Sequence, residues 1–407
     1  MQKGERGGFN SPPVDILDFH QSLTTQPDDH LISGRNIKPD DIAAYFHTGG
    51  TTGAPKLAIH THGNQVFTAW ASVQLQSINQ DDSTINGYPL FHVAGVLPGS
   101  LASLSAGVEI IIPTTKLMRN RDIIHNYWKL VEYHKITVVS AVPTALGALA
   151  NVPLDGADIS SVRFCRTGAA PVPAELVERY QELFNLNIQE SLGMTEMAGI
   201  SSITPPGVPS PVGCVGFPLP FSRYKVVALN AEGKPGEHEL PQGETGLILV
   251  KSPNVFPGYV DSQATQKAFT ADGWLNTGDL GFIDAEGRIN LNGRAKDLII
   301  RSGHNIDPKM IEEVLAKHEG VELCAAVGAP DDYAGEVPVA FVTLNQRGRE
   351  AGITESELLD FAATHVNEIP AKPKSVTVLE VMPLTNVGKI FKPELRRLAA
   401  AKTGAAQ

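Results

Sequence analysis

The stretch "TGGTTGAPK" (Thr48–Lys56) places three glycines and three threonines directly before one lysine. It follows the apolar run "DIAAYFH", which predicts a β-strand, and it precedes "LAIHTHGNQVFTAWASVQLQ", which contains a segment with helical spacing. Glycines let backbone N–H groups approach phosphate oxygens, threonine hydroxyls add donors, and a lysine neutralises phosphate charge. An ordinary turn would also accommodate the glycines and threonines, but the full string favours a phosphate-binding loop.

The loop differs from the common nucleotide-binding signatures. It is not a Walker A motif, because Ala54 and Pro55 separate Gly53 from Lys56. The chain contains no GxGxxG, GxSxG or HExxH, so oxidoreductase, esterase and zinc-protease readings lose their usual signatures. The formal net charge of −11 and the absence of a long basic run argue against a nucleic-acid partner.

The order of elements predicts an α/β fold. The runs "GVEIIIP", "ITVVSAVP", "VRFCRTG" and "LNIQESLG" are typical of strands, and a helix is expected from about Ala174 to Phe184. This alternation favours helix-covered sheets, largely parallel in the first part of the chain. After about residue 205, "RYKVVAL" and "GETGLILVKS" predict a smaller β-rich subdomain. A helix at "PKMIEEVLAKH", a strand at "ELCAAVGAP" and a helix capped by Thr354 predict a small α+β domain at the C-terminus.

A length of 407 residues predicts two or three domains. We expect an irregular Gly/Pro-rich tail over residues 1–35, a large domain over 36–295 and a C-terminal domain over 296–407. The three cysteines are far apart and form no CxxC, which indicates reduced thiols and a cytoplasmic protein. Neither a signal peptide nor an apolar run of about 18 residues occurs, so no membrane span is expected. Peripheral membrane contact and a homodimer stay open.

The segment "YFHTGGTTGAPKLAIHTHGN" closely resembles the phosphate-binding loop of the adenylate-forming (ANL) superfamily, which includes acyl-CoA synthetases, luciferases and nonribosomal adenylation domains. Four later stretches resemble further motifs of that family, and they occur in the family's order. They are "RTGAAPVP", "QESLGMTEMAG", "WLNTGDLGFID" with the following "GRAKDLII", and "MPLTNVGKIFKPEL". The series spans residues 45–392, and the resemblance is to an AMP-dependent acyl-CoA synthetase of the fatty-acid–CoA ligase type.

The resemblance implies roles for individual residues. Lys389 would be the adenylation lysine, Thr195 would contact the α-phosphate and Glu196 would hold Mg²⁺. Leu192 stands where the family commonly has an aromatic residue, so any contact with the nucleobase would be made differently there. Lys296 would be the hinge of a mobile C-terminal domain. The residues implied to bind ATP or AMP are Thr48, Gly49, Gly50, Thr51, Thr52, Gly53, Lys56, Gly168, Ala169, Ala170, Ser191, Leu192, Gly193, Met194, Asp279 and Arg294, the last two through the ribose.

The run "YPLFHVAGV" is implied to line the acid pocket, through His92, Val93 and Gly95. In amino-acid-activating relatives an Asp follows the matching Phe, whereas His92 follows Phe91 here, which argues against an amino acid. The small and apolar neighbours favour a medium- or long-chain fatty acid or another hydrophobic acid. Ser302, Gly303 and His304 are implied to face the thiol of coenzyme A.

The implied reaction uses ATP, Mg²⁺ and coenzyme A to convert a carboxylic acid into its acyl-CoA by way of an acyl-adenylate. Two alternatives stay open. One is a ligase that passes the acyl group to a carrier protein, although the uninterrupted hinge "GRAKDLIIRSGHNIDPKMIEEVL" favours coenzyme A. The other is a non-catalytic nucleotide-binding remnant, because family members carry a long segment before the glycine-rich loop and only 47 residues precede Thr48 here. For the synthetase as well as for the remnant, the large domain is therefore expected to be N-terminally truncated.

Overall fold

The computed structural model describes residues 19–30, 32–48, 56–168, 170, 172–230, 234–302, 304–385 and 390–402. The strands there are β1 (Ile42–Thr48), β2 (Lys56–Thr61), β3 (Ser83–Asn86), β4 (Glu109–Ile111), β5 (Val138–Ser140), β6 (Phe164–Gly168), β7 (Ile188–Leu192), β8 (Ser202–Ile203), β9 (Phe217–Pro218), β10 (Arg223–Leu229), β11 (Pro235–Glu239), β12 (Gly246–Lys251), β13 (Gly258–Tyr259), β14 (Leu275–Ile283), β15 (Ile289–Arg294), β16 (Ile299–Arg301), β17 (His304–Ile306), β18 (Val321–Asp331), β19 (Gly335–Leu344) and β20 (Ser375–Val378).

The α-helices of the same residues are α1 (Phe19–Leu23), α2 (His62–Gln76), α3 (Val93–Val96), α4 (Ala102–Ser105), α5 (Arg121–His125), α6 (Tyr127–His134), α7 (Pro143–Leu149), α8 (Ala174–Phe184), α9 (Ser262–Ala268), α10 (Lys309–Ala316), α11 (Gln346–Ala351), α12 (Glu355–His365) and α13 (Lys392–Lys402). Short 3₁₀ turns occur at Leu117–Arg119, Thr195–Met197, Ala295–Asp297 and Ile369–Ala371, and a π-helical turn at Leu97–Leu101. None of the described helices is both long and apolar enough to cross a bilayer.

A seven-stranded sheet forms the centre of the large N-terminal part, in the order β4-β3-β5-β6-β7-β8-β9. Its first five strands are parallel, and β8 and β9 add antiparallel pairs at one edge. The buried rings of Tyr127, Trp128 and Tyr180 belong to the core that packs against this sheet. Since ligands of open α/β sheets bind at the carboxyl ends of the strands, the loops after β3, β6 and β7 are the places where a site is expected.

Two antiparallel sheets flank the central one. The first has the order β1-β2-β13, so a strand pair next to the glycine-rich loop is joined by a two-residue strand from about 200 positions later. The second has the order β11-β10-β12-β14-β15 and forms the β-rich subdomain. Beyond residue 295, β17, β16, β19, β18 and β20 form a further sheet, which packs with α10 and α12 around a core of its own. The α/β fold with mixed sheets and a small C-terminal α+β domain is thereby confirmed.

The local predictions agree with the elements in most places. Helix α8 occupies Ala174–Phe184 as expected, because Leu176, Tyr180 and Phe184 recur at four-residue spacing and are all buried. Thr354 caps α12 through a capping box with Glu357. The irregular tail over 1–35 needs one correction, since Phe19–Leu23 forms a short helix. The domain bounds after residues 35 and 295 stay predictions.

Candidate functional site

The two ends of the predicted phosphate-binding loop lie side by side. Thr48 ends β1, Lys56 begins β2, and the two residues are paired in the antiparallel register. The loop residues Gly49, Gly50, Thr51, Thr52 and Gly53 lie outside the described residues. The described part of the motif therefore places an exposed lysine at the exit of the loop.

The stretch "SLGMTE" (Ser191–Glu196) begins with the last two residues of β7 and continues into the following turn. Thr195 and Glu196 form a 3₁₀ turn and are both 8 % exposed. We call Thr195–Ile200 the 195–200 turn. The turn is fixed by its backbone: His60 Nε2 lies 2.8 Å from the Thr195 carbonyl oxygen, and the Phe256 N–H donates to the Glu196 carbonyl at 3.0 Å.

Asn254 contributes two more hydrogen bonds to the same turn. Its side-chain amide is fully buried and donates to the carbonyl oxygens of Met197 and Ile200 at 2.7 and 2.5 Å. Buried backbone carbonyls without a donor are costly, so Asn254 stabilises a turn that secondary structure alone leaves unsatisfied.

Tyr259 links the phosphate-loop lysine to the turn. Its hydroxyl donates to Glu196 Oε1 at 2.5 Å, and the Lys56 Nζ lies 5.2 Å from the centroid of its ring. Strand β13 positions the Tyr259 ring near Lys56, because Tyr259 pairs with Ala58 of β2, the strand that Lys56 begins. Burial raises the pKa of Tyr259 strongly, and the neighbouring Glu196 raises it further, so the phenol is a hydrogen-bond donor at neutral pH.

Glycines stand where the strands β6 and β7 end, and the second of them is required. Gly168 pairs with Ser191, and a Cβ on Gly168 would lie 2.6 Å from the Ser191 hydroxyl oxygen. A Cβ on Gly193 would lie 1.9 Å from the carbonyl oxygen of Gly199, so only glycine permits this close approach. Leu192 is buried, Ala170 is half-buried, and Ala169 lies outside the described residues. The predicted nucleotide residues after β6 and β7 therefore share one edge of the sheet.

The two residues predicted to bind the ribose lie next to each other. Asp279 on β14 and Arg294 on β15 face each other in the register, and Arg294 Nε lies 2.9 Å from Asp279 Oδ1. Asp279 is 3 % exposed, and its Oδ2 has no hydrogen-bond partner among the described residues. The charge of Asp279 is the main cause that raises the pKa of Arg294, and Glu196 contributes to the same shift. A buried carboxylate oxygen without a donor is a ready acceptor for a ligand hydroxyl.

The predicted acid-pocket segment follows the carboxyl end of β3. His92 caps α3 and accepts a hydrogen bond from the Ala94 N–H through Nδ1, so it has a structural role besides the predicted one. Val93 packs with Leu97 and Ala198, which belongs to the 195–200 turn. A Cβ on Gly95 would lie 2.2 Å from the Pro89 carbonyl oxygen. This segment and the 195–200 turn are thus in direct contact.

The predicted coenzyme A residues lie apart from this group, in the C-terminal sheet. Ser302 and His304 flank the β16–β17 turn and line a cavity of about 220 Å³ together with Arg301, Ile369 and Pro370. Gly303 and the predicted adenylation lysine, Lys389, lie outside the described residues.

The predicted hinge residue Lys296 lies in the Ala295–Asp297 turn. Burial lowers the pKa of Lys296, and the charge of Arg294 lowers it further. The Lys296 carbonyl accepts a hydrogen bond from Arg396 at 3.3 Å, and Arg396 pairs with Asp297 at 2.7 Å. We call Lys296–Asp297 the junction.

Sequence reasoning missed Asn254, Phe256 and Tyr259. The stretch "SPNVFPGY" that carries these three has no periodicity and no charged residue. Gly258 and Tyr259 could have been recognised only from their pairing with β2, which is a tertiary contact that the sequence does not reveal.

The residues around Glu196 fit a Mg²⁺ ion held with phosphate groups. Glu196 Oε1 accepts a hydrogen bond from the Tyr259 hydroxyl, which leaves Oε2 as the other carboxylate oxygen for a cation. Within the described ranges, no group of three or more His, Cys, Asp or Glu side chains could hold a metal ion. Mg²⁺ commonly binds one or two carboxylates together with substrate phosphates rather than an all-protein cage, which this arrangement matches.

Comparison with known families gives two matches along the chain. Residues 11–260 match the model of the AMP-binding enzymes, and residues 310–389 match that of the AMP-binding enzyme C-terminal domain. The first match alone covers more than half of the chain.

Individual relatives agree with these matches. The chain is 37 % identical over 393 residues to marinolic acid–CoA ligase of Pseudoalteromonas sp. (strain SANK 73390), covering 95 % of this chain but 60 % of that protein. It is 34 % identical over 393 residues to 4-coumarate–CoA ligase 1 of Solanum tuberosum, covering 94 % and 69 %. The structure of O-succinylbenzoate coenzyme A synthetase from Bacillus subtilis with ATP and magnesium ion is 30 % identical, with a TM-score of 0.74 and coverage of 89 % and 70 %. The chain thus spans about three fifths of the length of the first relative and about 70 % of the other two.

Proposed function

Because the chain belongs to the family of AMP-binding enzymes, we propose that it activates a carboxylic acid with ATP and transfers the acyl group to coenzyme A. One observation carries the proposal: Lys56 of the glycine-rich loop and Glu196 of the second signature, 140 positions apart, both contact Tyr259. This common contact supports the proposal, because activation of a triphosphate would use a cation for the phosphates and a carboxylate for Mg²⁺ close together.

In the first step, a carboxylate oxygen of the acid attacks the α-phosphorus of ATP, the bond to pyrophosphate breaks, and an acyl-adenylate forms. The glycine-rich loop and Lys56 would hold the leaving pyrophosphate, and Thr195 would bind the α-phosphate. Mg²⁺ on Glu196 would screen the phosphate charges. Lys389 would neutralise the charge where two anions meet, since a cation ~4 Å from such an oxygen is worth roughly 4 kcal/mol at an effective dielectric of about 20.

Asp279 and Arg294 would hold the ribose. The unpartnered Oδ2 of Asp279 supports this role, because a ribose hydroxyl can donate to it. The backbone after Gly168, through Ala169 and Ala170, would accommodate the flat adenine, and Ser191, Leu192, Gly193 and Met194 would complete the wall on the β7 side.

In the second step, the thiolate of coenzyme A attacks the acyl carbon, and AMP leaves. We propose that the C-terminal domain turns about Lys296 between the two steps, withdrawing Lys389 and presenting Ser302, Gly303 and His304 to the thiol. Excluding water in both arrangements would protect the mixed anhydride from hydrolysis.

For the acid itself, we propose a hydrophobic carboxylic acid, of which a medium- or long-chain fatty acid is the finer choice. The apolar Val93 and Leu97 and the side-chain-free Gly95 support an apolar pocket beyond His92. The named relatives act on marinolic acid and 4-coumarate, so the family alone supports varied acids. We further propose a cytoplasmic protein, consistent with free cysteines at Cys165, Cys214 and Cys324.

The test incubates the purified 407-residue chain with ATP, Mg²⁺ and a panel of fatty, aryl and dicarboxylic acids, with and without coenzyme A, and measures AMP and pyrophosphate. Acid-dependent AMP that rises with coenzyme A supports the proposal, and the best substrate identifies the acid class. AMP that rises only with an acyl carrier protein would instead identify a carrier-loading ligase. Nucleotide binding without any release, in a folded sample, would favour the non-catalytic alternative.

A further inference from the structure

We propose that Tyr259 is a positioning residue that sets the affinity of Glu196 for a divalent cation and aligns it with Lys56. The inference rests on the proposed function for its ligand, the metal–ATP complex, but its geometry stands on the described residues alone. Neither the sequence motifs nor the family's signature residues used above include Tyr259.

The first argument is the hydrogen bond to Glu196. The Tyr259 hydroxyl donates to Oε1 at 2.5 Å and so fixes the orientation of the Glu196 carboxylate. With Oε1 occupied, Oε2 is the oxygen left for a cation. Partners that orient a metal-binding carboxylate in this way are a regular part of metal sites, and they tune the metal affinity.

The second argument is the contact with Lys56. Its ammonium group lies over the face of the same ring, 5.2 Å from the centroid, where the ring quadrupole attracts a cation. One side chain thus touches both the positive and the negative group that would meet the triphosphate. Moving the ring would displace both groups together.

The third argument is that Tyr259 is itself rigidly held. Its N–H donates to the Thr265 hydroxyl oxygen at 2.8 Å, and its ring packs edge-on against Phe256 with centroids 4.8 Å apart. Phe256 in turn binds the Glu196 carbonyl oxygen through its N–H. Both the backbone and the carboxylate of Glu196 are therefore set by one short segment, Phe256–Tyr259.

The experiment compares Tyr259→Phe, which keeps the ring and removes the hydroxyl, with Tyr259→Leu, which removes both contacts. Tyr224→Phe is the matched control, because Tyr224, like Tyr259, is a partly buried tyrosine, and its hydroxyl bonds the side chain of Ser201 rather than Glu196. Mn²⁺ binding is measured by electron paramagnetic resonance in the presence of a non-hydrolysable ATP analogue. Affinity for the analogue without metal is measured in parallel, and thermal unfolding reports folding.

We expect Tyr259→Phe to weaken Mn²⁺ binding about tenfold, with little change in metal-free binding of the analogue. Tyr259→Leu should weaken both, and Tyr224→Phe neither. Excess Mg²⁺ should restore part of the activity of Tyr259→Phe. Unchanged Mn²⁺ affinity in Tyr259→Phe, or an equal loss in Tyr224→Phe, would overturn the inference, and so would a wild-type chain that binds no Mn²⁺ with the analogue. A wild-type chain that shows the Tyr259-dependent Mn²⁺ binding but makes no acyl-CoA would instead refute the proposed function alone.

Discussion

The 195–200 turn and the junction at Lys296–Asp297 are held in opposite ways. The turn is bound by neutral, buried donors from two distant segments, one carrying His60 and the other carrying Asn254 and Phe256. The junction is bound by the partly exposed ion pair Arg396–Asp297, whose side chains are 31 % and 18 % exposed. Buried hydrogen bonds are costly to break, whereas exposed ion pairs exchange readily with water.

A second contact between the C-terminal sheet and the large N-terminal part also uses a charged side chain. The Lys309 ammonium on α10 donates to the Leu291 carbonyl oxygen on β15 at 3.1 Å. The nucleotide side of the candidate site is thus built into the large N-terminal part, while charged side chains tether the C-terminal sheet to it. The contrast suits the proposed reaction, in which the nucleotide stays fixed while the C-terminal domain rotates.

The largest effect is expected from Lys389→Ala, which tests whether the C-terminal part supplies the first step. We expect acid-dependent pyrophosphate release to fall about 10²–10³-fold, since a preorganised charge at the reacting oxygen is lost. Thioester formation from supplied acyl-adenylate should be retained. Lys392→Ala is the control, because Lys392 pairs with Glu312 at 2.8 Å instead. Equal pyrophosphate release in Lys389→Ala and wild type would contradict the assigned role.

Asn254→Ala tests the rigidity of the turn. The change leaves the buried carbonyls of Met197 and Ile200 without this donor, so the free energy of unfolding should fall by about 2–4 kcal/mol. Urea unfolding measures the loss. Asn292→Ala is the control, since it removes only an exposed hydrogen bond to Thr245. A loss below that of the control would show that the turn does not depend on Asn254.

Glu190→Gln tests a buried group on the strand that leads into the turn. Burial raises the pKa of Glu190 from 4.5 to about 7, although N–H donors from Gly213 and Val172 and the charge of Lys309 oppose the shift. The folded chain therefore binds the Glu190 proton more tightly than the unfolded chain does. The contribution of Glu190 to stability is fully present below pH 4.5 and is lost as the pH rises to about 7.

The stability that Glu190 ceases to contribute between pH 4.5 and about 7 is at most about 3 kcal/mol. Urea unfolding at several pH values should show that Glu190→Gln removes this part of the pH dependence, and that Glu182→Gln, an exposed change, leaves it in place. Parallel curves for wild type and Glu190→Gln between pH 4.5 and 7 would refute the raised pKa.

The smallest effect is expected from Arg396→Gln at the junction. Because the ion pair with Asp297 is partly exposed, the free energy of unfolding should change by less than about 1 kcal/mol. Thermal unfolding compares it with Arg397→Gln, which removes an exposed pair with Glu394. A loss as large as that of Asn254→Ala would erase the contrast between the two regions.

The sequence predicted what depends on local pattern. Helix α8 follows from its four-residue spacing, the start of α12 from Thr354, and the strands from short apolar runs. The motifs also led to Lys56, Glu196, Asp279 and Arg294, although their roles stay predictions.

What the sequence could not predict depends on contacts between distant segments. Tyr259 meets Glu196 only because a two-residue strand pairs with β2. Asn254 meets the 195–200 turn across more than 50 positions, and no periodic pattern marks either residue. The short helix α1 and the π-helical turn at Leu97–Leu101 likewise lack the spacing that identifies longer helices.

The most direct test of the account is to detect the acyl-adenylate itself. The chain is incubated with ATP, Mg²⁺ and the best acid of the panel without coenzyme A, and bound nucleotides are identified by mass spectrometry. We expect acyl-AMP in wild type, its conversion to acyl-CoA and AMP when coenzyme A is added, and its absence in Lys389→Ala. Two results would contradict the account, in which the rigid 195–200 turn binds the nucleotide and a rotating C-terminal domain supplies Lys389. One is hydrolysis of ATP without acyl-AMP, and the other is acyl-AMP formed equally well by Lys389→Ala.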